Sequence, residues 1–173
     1  MTFLDRLMGR QPNPTHAWPI VELSQPEINL EDIRLHSLRF GDALNSAQCL
    51  GRPDTFRGSE NDYCELLYAR YGFQIDFDSG RFAYLAFYIG PDAKTSQLKG
   101  LEWSHPHITG AGNLTATITD SQITGWLGAA GDEEKDGNES TLFYPKGEIT
   151  MEFEFNADGC LKRWNLYPQR EQD

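Results

Sequence analysis

The sequence has 173 residues, enough for one domain or two small lobes, and its 39% hydrophobic and 12% aromatic residues are typical of a globular protein. Its formal net charge of -11 argues against nucleic acid as a general ligand, because phosphate binding requires clustered lysine and arginine. Such an acidic surface keeps a protein soluble, and any partner is expected to be basic.

Cysteine usage and apolar runs bear on the cellular compartment. Cys49, Cys64 and Cys160 are an odd number with no C-x-x-C spacing, so neither a disulfide framework nor a zinc knuckle is predicted. The first ten residues place apolar side chains at helical spacing and indicate a short amphipathic helix, not a signal peptide. No segment is long enough to cross a membrane. We therefore expect a cytoplasmic protein without membrane contact.

Prolines, glycines and apolar patterns divide the chain into five segments. We expect a short helix and a proline-rich linker in residues 1–27, a first repeat in 28–90, a linker in 91–113, a second repeat in 114–168 and a tail in 169–173. Within the first repeat, the apolar residues from 28 to 40 fit both the helical and the strand period. The sequence leaves that choice open.

The first repeat reads as a short helix followed by an antiparallel meander. Asp42 occupies an N-cap position, Leu44, Ala47 and Leu50 line one helical face, and Gly51 and Pro53 end the helix. Strands are then predicted for residues 63–69, 71–77 and 81–89, with a hairpin turn at 78–80.

A weaker copy of this pattern begins near residue 119. Asp120 is the expected cap, Ile123, Trp126 and Leu127 the apolar face, and Gly128 the stop. Residues 131–140 are polar and predict a solvated loop, and strands are expected at 141–144, 148–155 and 160–167. The offset between matching residues stays between 76 and 79, which indicates a duplication.

These motifs resemble a known superfamily. A Gly41-Asp42 cap, a two-turn helix, Leu50-Gly51-Arg52-Pro53 and the Tyr68-x-x-x-Gly72-Phe73 pattern are similar to the repeat of the β-lactamase inhibitor protein-like superfamily, which includes lipoproteins of the SmpA/OmlA type. The likeness covers about residues 33–89 and 114–167. It implies an α+β fold of two tandem helix-plus-antiparallel-sheet repeats, with the sheets forming one open face and the helices behind, and it implies protein binding in place of catalysis.

Strict alternation in the predicted strands assigns side chains to the two faces of the sheet. Apolar residues such as Phe73, Ile75 and Phe77 face the core, so that their neighbours point outward. Tyrosine and arginine are enriched in protein interfaces, and the outward set combines them with acids. The candidate partner-binding residues are Asp76, Phe82, Tyr84, Tyr88, Glu152, Glu154, Arg163 and Tyr167. The open alternative is that the linkers or the N-terminal segment cover these aromatics.

Catalytic and metal-binding patterns are weak in this sequence. There is no phosphate-binding glycine loop, nucleophile elbow or H-E-x-x-H motif. We expect no catalytic residue, no metal and no cofactor, and we predict a non-enzymatic module that binds a basic protein through its sheet face. One specific version is an inhibitor or immunity protein. The alternative is an enzyme or a small-ligand or metal-binding protein that uses the groove between the repeats near His105 and His107.

Overall fold

The computed structural model describes residues 13–91 and 102–169, so the predicted N-terminal helix and most of the tail lie outside the described residues. Two β-sheets dominate the described chain. The large sheet has eight antiparallel strands, and the small sheet has five strands of two or three residues each. Among the described helices, none has the length and apolar character needed to cross a membrane.

The elements follow one another in this order. The strands are β1 (Glu27–Asn29), β2 (Arg34–Leu35), β3 (Leu38–Arg39), β4 (Thr55–Gly58), β5 (Tyr63–Tyr68), β6 (Phe73–Asp78), β7 (Arg81–Tyr88), β8 (His107–Ile108), β9 (Gly112–Asn113), β10 (Asp132–Asp136), β11 (Glu139–Lys146), β12 (Ile149–Phe155) and β13 (Leu161–Pro168). Short 3-10 segments occupy Pro14–Ala17, Leu44–Leu50 and Ala69–Tyr71, and an α-helix, α1, spans Asp120–Leu127.

The large sheet joins two four-stranded meanders at its centre. Its order is β10-β11-β12-β13-β7-β6-β5-β4, so the last strand of each meander pairs with the other. Each meander carries a bulge at the same place. The register shifts between Asp76 and Phe77 where β6 meets β7, and between Glu154 and Phe155 where β12 meets β13.

The predicted fold class, an α+β fold of helix-plus-sheet repeats with helices behind, is wrong. The chain is mostly β. The segment Leu44–Leu50 is a 3-10 helix, and α1 has eight residues. Behind the large sheet lies the small sheet, whose buried Ile28, Leu35 and Ile108 share a core with the large sheet's inner face. Segments of about two turns are too short to propagate an α-helix without strong packing. Residues 28–40, for which the sequence left helix and strand open, contribute to β1, β2 and β3.

Tight packing at Gly51 fixes the end of the 3-10 segment Leu44–Leu50. Leu44, Ala47 and Leu50 are buried, as their spacing predicts. The predicted Asp42 cap is wrong, because the N-cap is Ala43 and Asp42 Oδ2 instead accepts a hydrogen bond from the Arg39 amide at 2.9 Å. At Gly51, φ is +77° and a Cβ would lie 2.7 Å from Val21 Cβ. Only glycine fits where the linker crosses this segment.

Helix α1 begins one residue earlier than predicted. Its N-cap is Thr119, which forms a capping box with Gln122, and Asp120 is the first helical residue. Of the predicted apolar face, Ile123 is buried, whereas Leu127 is half-buried and Trp126 is 44% exposed. The helix therefore packs through a narrower stripe than its sequence indicates.

Replacing Thr119 by alanine is expected to lower the free energy of unfolding by about 1 kcal/mol, because the Gln122 amide loses its side-chain acceptor. Thr117→Ala is the control, since Thr117 is exposed and lies outside the helix. Urea unfolding of both variants measures the difference. An equal loss in the two variants would contradict the capping role.

Two edge strands were not predicted. β10 occupies most of the expected solvated loop at 131–140 and pairs with β11 along its whole length, although all its residues are exposed. β4 forms the opposite edge beside β5. Strand β10 has the sequence Asp-Glu-Glu-Lys-Asp, and such charged edges discourage pairing with other chains.

Candidate functional site

The predicted partner-binding residues lie, with one exception, on the outer face of the large sheet. Their strands alternate between core residues such as Phe153 and Leu166 and outward residues such as Glu152 and Tyr167. The structure therefore brings Asp76, Tyr84, Tyr88, Glu152, Glu154, Arg163 and Tyr167 onto one face.

Phe82 is the exception, and its outward assignment is wrong. It is 1% exposed, stacks on Phe40 with ring centroids 4.3 Å apart, and lies 5.8 Å from the Phe77 ring. The reason is the bulge between β6 and β7. Phe77 pairs with Phe82 while Asp76 pairs with Tyr84, so Ala83 is the extra residue and the alternation of faces restarts after it.

The outer face is less exposed than its composition suggests. Asp76 and Tyr88 are only 6% and 4% exposed, whereas Tyr84, Glu154 and Arg163 are half-buried. The tyrosines are therefore part of a packed polar layer. Replacing Tyr88 would disturb this layer as well as any binding surface.

Asp76 is the centre of one hydrogen-bonded network in this layer. Its Oδ2 accepts from the Tyr63 hydroxyl at 2.7 Å and its Oδ1 accepts from Gln74 Nε2 at 2.7 Å. Gln74 Oε1 in turn accepts from the Tyr88 hydroxyl at 3.1 Å. Burial raises the pKa of Asp76 to about 6; the two hydrogen bonds oppose this rise, and the neighbouring Glu65 adds to it.

Asn165, which the sequence reasoning missed, organises a second network on β12 and β13. It is 2% exposed, and its Nδ2 donates to Glu152 Oε1 at 2.9 Å and to Glu154 Oε1 at 2.7 Å. Its Oδ1 accepts from the Tyr84 hydroxyl at 2.9 Å, and Tyr167 donates to Glu152 Oε2 at 2.7 Å. The available signal was the alternation itself, because Asn165 stands between the core residues Trp164 and Leu166 and so faces outward.

The two networks meet where β7 pairs with β13. Arg163 lies over the Tyr88 ring at 5.7 Å, and its Nη1 is 3.4 Å from Glu154 Oε1. At the corresponding position at the other end of this strand pair, Tyr84 and Tyr167 stack with ring centroids 6.3 Å apart. Tyr84 therefore takes the position over a tyrosine ring that Arg163 has at the first end.

A cleft opens on this outer face beside the tyrosine pair. It has a volume of about 950 Å³ and is lined by Asp78, Ala83, Tyr84, Glu134, Glu152, Tyr167 and Pro168. A smaller cavity of about 330 Å³ shares Glu134 and Tyr167 with it and is completed by Gly131, Asp132, Phe143, Pro145, Thr150 and Gln169. In the described parts of the chain, no lysine or arginine lines either space.

The residues of the alternative metal site are placed apart from this cleft. His107 belongs to β8 and its Nδ1 lies 2.9 Å from Asn113 Oδ1, while His105 is exposed. Residues 13–91 and 102–169 contain no group of three or more His, Cys, Asp or Glu side chains arranged to hold a metal ion.

The cysteine thiols are spread over different elements. Cys49 is exposed, Cys160 is half-buried and Cys64 is buried on β5. Burial, the largest cause, raises the pKa of Cys64 to about 11, so little of this thiol is present as the nucleophilic thiolate at neutral pH.

Comparisons with known proteins give only distant likenesses. No family model and no curated protein matches the chain. Among solved structures it is similar to a DUF4309 family protein from Bacillus subtilis, with 13% identity, a TM-score of 0.48, and coverage of 78% of this chain and 84% of that one. It is also similar to an extracellular protein containing an SCP domain from Bacillus anthracis, with 11% identity, a TM-score of 0.49, and coverage of 87% and 48%. The chain thus spans about half of that second protein.

Proposed function

We propose that this chain is a non-enzymatic binding protein that receives a basic segment of another protein in the cleft on the outer face of the large sheet. The observation that carries the proposal is the lining of the cleft. Three carboxylates, Asp78, Glu134 and Glu152, surround the tyrosine pair Tyr84 and Tyr167.

Electrostatics favours a cationic occupant of this cleft. A recessed surface lined by one sign of charge focuses the field and raises the local concentration of the opposite charge. The net charge of -11 extends this attraction over the whole molecule. A basic segment is therefore steered to the cleft, and its association is expected to slow as salt is added.

The aromatic side chains of the cleft are fixed before any ligand arrives. The hydroxyls of Tyr84 and Tyr167 are held by Asn165 and Glu152. The two rings also stack on each other. Rigid tyrosines lose little conformational freedom on binding, which lowers the entropic cost of forming an interface.

The titratable groups of this face are better suited to binding than to proton transfer. Asp76 has the raised pKa that a general base requires, but it is 6% exposed and both of its oxygens accept hydrogen bonds from Tyr63 and Gln74. A substrate proton has no short path to it. This burial supports a structural part for Asp76 beneath the binding surface.

The proposal is tested with a fluorescent oligolysine peptide whose binding is followed by fluorescence anisotropy at low and at physiological salt. The double variant Asp78→Asn, Glu134→Gln is expected to bind about three- to tenfold more weakly, since each rim charge contributes up to about 1 kcal/mol. The control is Asp62→Asn, Glu133→Gln, which removes the same charge from exposed positions outside the cleft.

The control separates the cleft from the overall charge. An equal loss in both double variants would mean that net charge alone attracts the peptide. Failure of the unmodified protein to bind oligolysine above an oligoglutamate peptide of equal length would overturn the proposal.

A further inference from the structure

We infer that the smaller cavity beside the cleft is a pocket for one arginine side chain of the bound basic segment. This inference deepens the proposed function and rests on it. It assigns a specific anchor, whereas the cleft as a whole supplies a general attraction for positive charge.

The composition of the pocket matches the two parts of an arginine side chain. Phe143, Pro145 and the ring of Tyr167 offer apolar and aromatic surface, and Asp132 and Glu134 offer carboxylates. The strand register places these groups side by side, because Asp132 pairs directly with Phe143. A volume of about 330 Å³ lies at the small end of the roughly 300–1,000 Å³ seen for ligand pockets, which suits a side chain.

The same face already holds an arginine in this kind of environment. Arg163 lies over the ring of Tyr88 and against the carboxylate of Glu154. At the corresponding position across the β7–β13 pair, Tyr84 stands in place of the arginine and stacks on Tyr167. The pocket lining likewise offers aromatic rings and carboxylates, but it contains no arginine.

The carboxylates of this region divide into engaged and available groups. Both oxygens of Glu152 accept hydrogen bonds, from Asn165 and from Tyr167. The exposed Glu134 carboxylate has no hydrogen bond or ion pair with any described side chain. Its strand neighbour Glu133, on the opposite face of β10, is instead paired with Lys135 at 2.9 Å. Asp132 Oδ1 accepts a hydrogen bond from the Glu133 amide at 2.9 Å, so Glu134 is the pocket acid with both oxygens available to an incoming cation.

Arginine fits this arrangement better than lysine does. Its planar guanidinium stacks on an aromatic ring while donating in its own plane to a carboxylate, whereas an ammonium is a compact, strongly hydrated charge. A cation over an aromatic ring contributes about 0.5–1 kcal/mol at an exposed site. Since the strongly hydrated ammonium of lysine gains less of this energy, the preference for arginine is up to about fivefold for each seated side chain.

The test compares oligoarginine and oligolysine peptides of equal length and charge on the full chain by fluorescence anisotropy. The unmodified protein is expected to bind oligoarginine more tightly, by up to about fivefold for each seated side chain. Phe143→Leu keeps the apolar bulk but removes one of the two rings of the pocket, and should reduce this preference while oligolysine binding persists. Glu134→Gln should weaken both peptides and reduce the preference, and Glu133→Gln, on the other face of β10, should change neither.

The outcomes distinguish this inference from the proposed function. Equal binding of the two peptides by the unmodified protein would overturn the arginine pocket and leave the basic-segment cleft standing. Binding of neither peptide would overturn both. Thermal unfolding shows whether Phe143→Leu is folded; if it is not, an unchanged arginine preference in Glu134→Gln would still overturn the pocket.

Discussion

Replacing Phe82 by alanine is expected to lower the free energy of unfolding by about 3–5 kcal/mol, the usual cost of truncating a buried aromatic residue. The ring is 1% exposed and stacks on Phe40 at 4.3 Å. Its loss would leave a cavity between the start of β7 and the loop that leads into the Leu44–Leu50 segment. The backbone holds this loop in place, since the Gly41 amide donates to the Phe82 carbonyl at 2.9 Å.

Denaturant unfolding followed by tryptophan fluorescence measures this loss. Phe82→Leu is the control for volume, and it should cost less than about 1.5 kcal/mol because it keeps apolar contacts. If the strict alternation read from the sequence were correct, Phe82 would lie on the surface and the alanine variant would change stability by only about 0.5 kcal/mol. A loss of that size would contradict the bulge at Ala83.

The contrast between Phe82 and Phe77 shows what the sequence predicts well and what it does not. Alternation identified the inner faces of β6 and β12, because Phe77 and Phe153 stand in unbroken period-two runs. The bulge is invisible to that reasoning, since one inserted residue leaves the composition unchanged and only the pairing reveals it. The equivalent shift at Lys162 brings Leu161 into the core.

The edge strands of the large sheet and the small sheet behind it were not predicted, for a different physical reason. β10 is wholly exposed, so no apolar period marks it as a strand. The strands of the small sheet have two or three residues, too few to show any period. Helical spacing at Leu44 to Leu50 was correct for burial, but a 3-10 segment of two turns buries nearly the same positions as an α-helix.

The candidate site was predicted in its parts and missed in its arrangement. Tyr84, Glu152 and Tyr167 were assigned to the outer face from alternation alone. Their contact with Asn165 depends on which strands are neighbours, and that order joins β7 to β13 across the middle of the chain. Glu134 lines the cleft because residues 132–136, which were predicted to be part of a loop, form strand β10 at the edge of the sheet.

Replacing Asp76 by asparagine is expected to change how stability depends on pH. The native pKa of Asp76 is about 6, above the unfolded value of about 3.9. Between these values the native state binds more protons than the unfolded state, so this group's contribution is fully present below pH 4 and is lost as the pH rises through 6. The difference of about 2 between the native and unfolded pKa values corresponds to a loss of stability on the order of 2–3 kcal/mol in the unmodified protein.

Asparagine removes the charge and still fits the network. Its oxygen can accept from Gln74, and its amide can donate to the Tyr63 hydroxyl, which lies 3.3 Å from a Glu65 oxygen and so has another acceptor for its own proton. Relative to the unmodified protein, Asp76→Asn should therefore gain about 2–3 kcal/mol of stability between about pH 4 and about pH 7. Urea unfolding across this range measures the difference and cancels most of the titration of the other acids.

Asp78→Asn is the matched control, because Asp78 lies on the same strand and face but is exposed. Its stability relative to the unmodified protein should stay nearly constant over the same pH range, since an exposed carboxyl keeps its water in the folded chain. A constant difference for Asp76→Asn as well would mean that Asp76 is ionised in the folded protein at no cost. The hydrogen bonds from Tyr63 and Gln74 would then outweigh its burial, and Asp76 would add a permanent negative charge beneath the cleft.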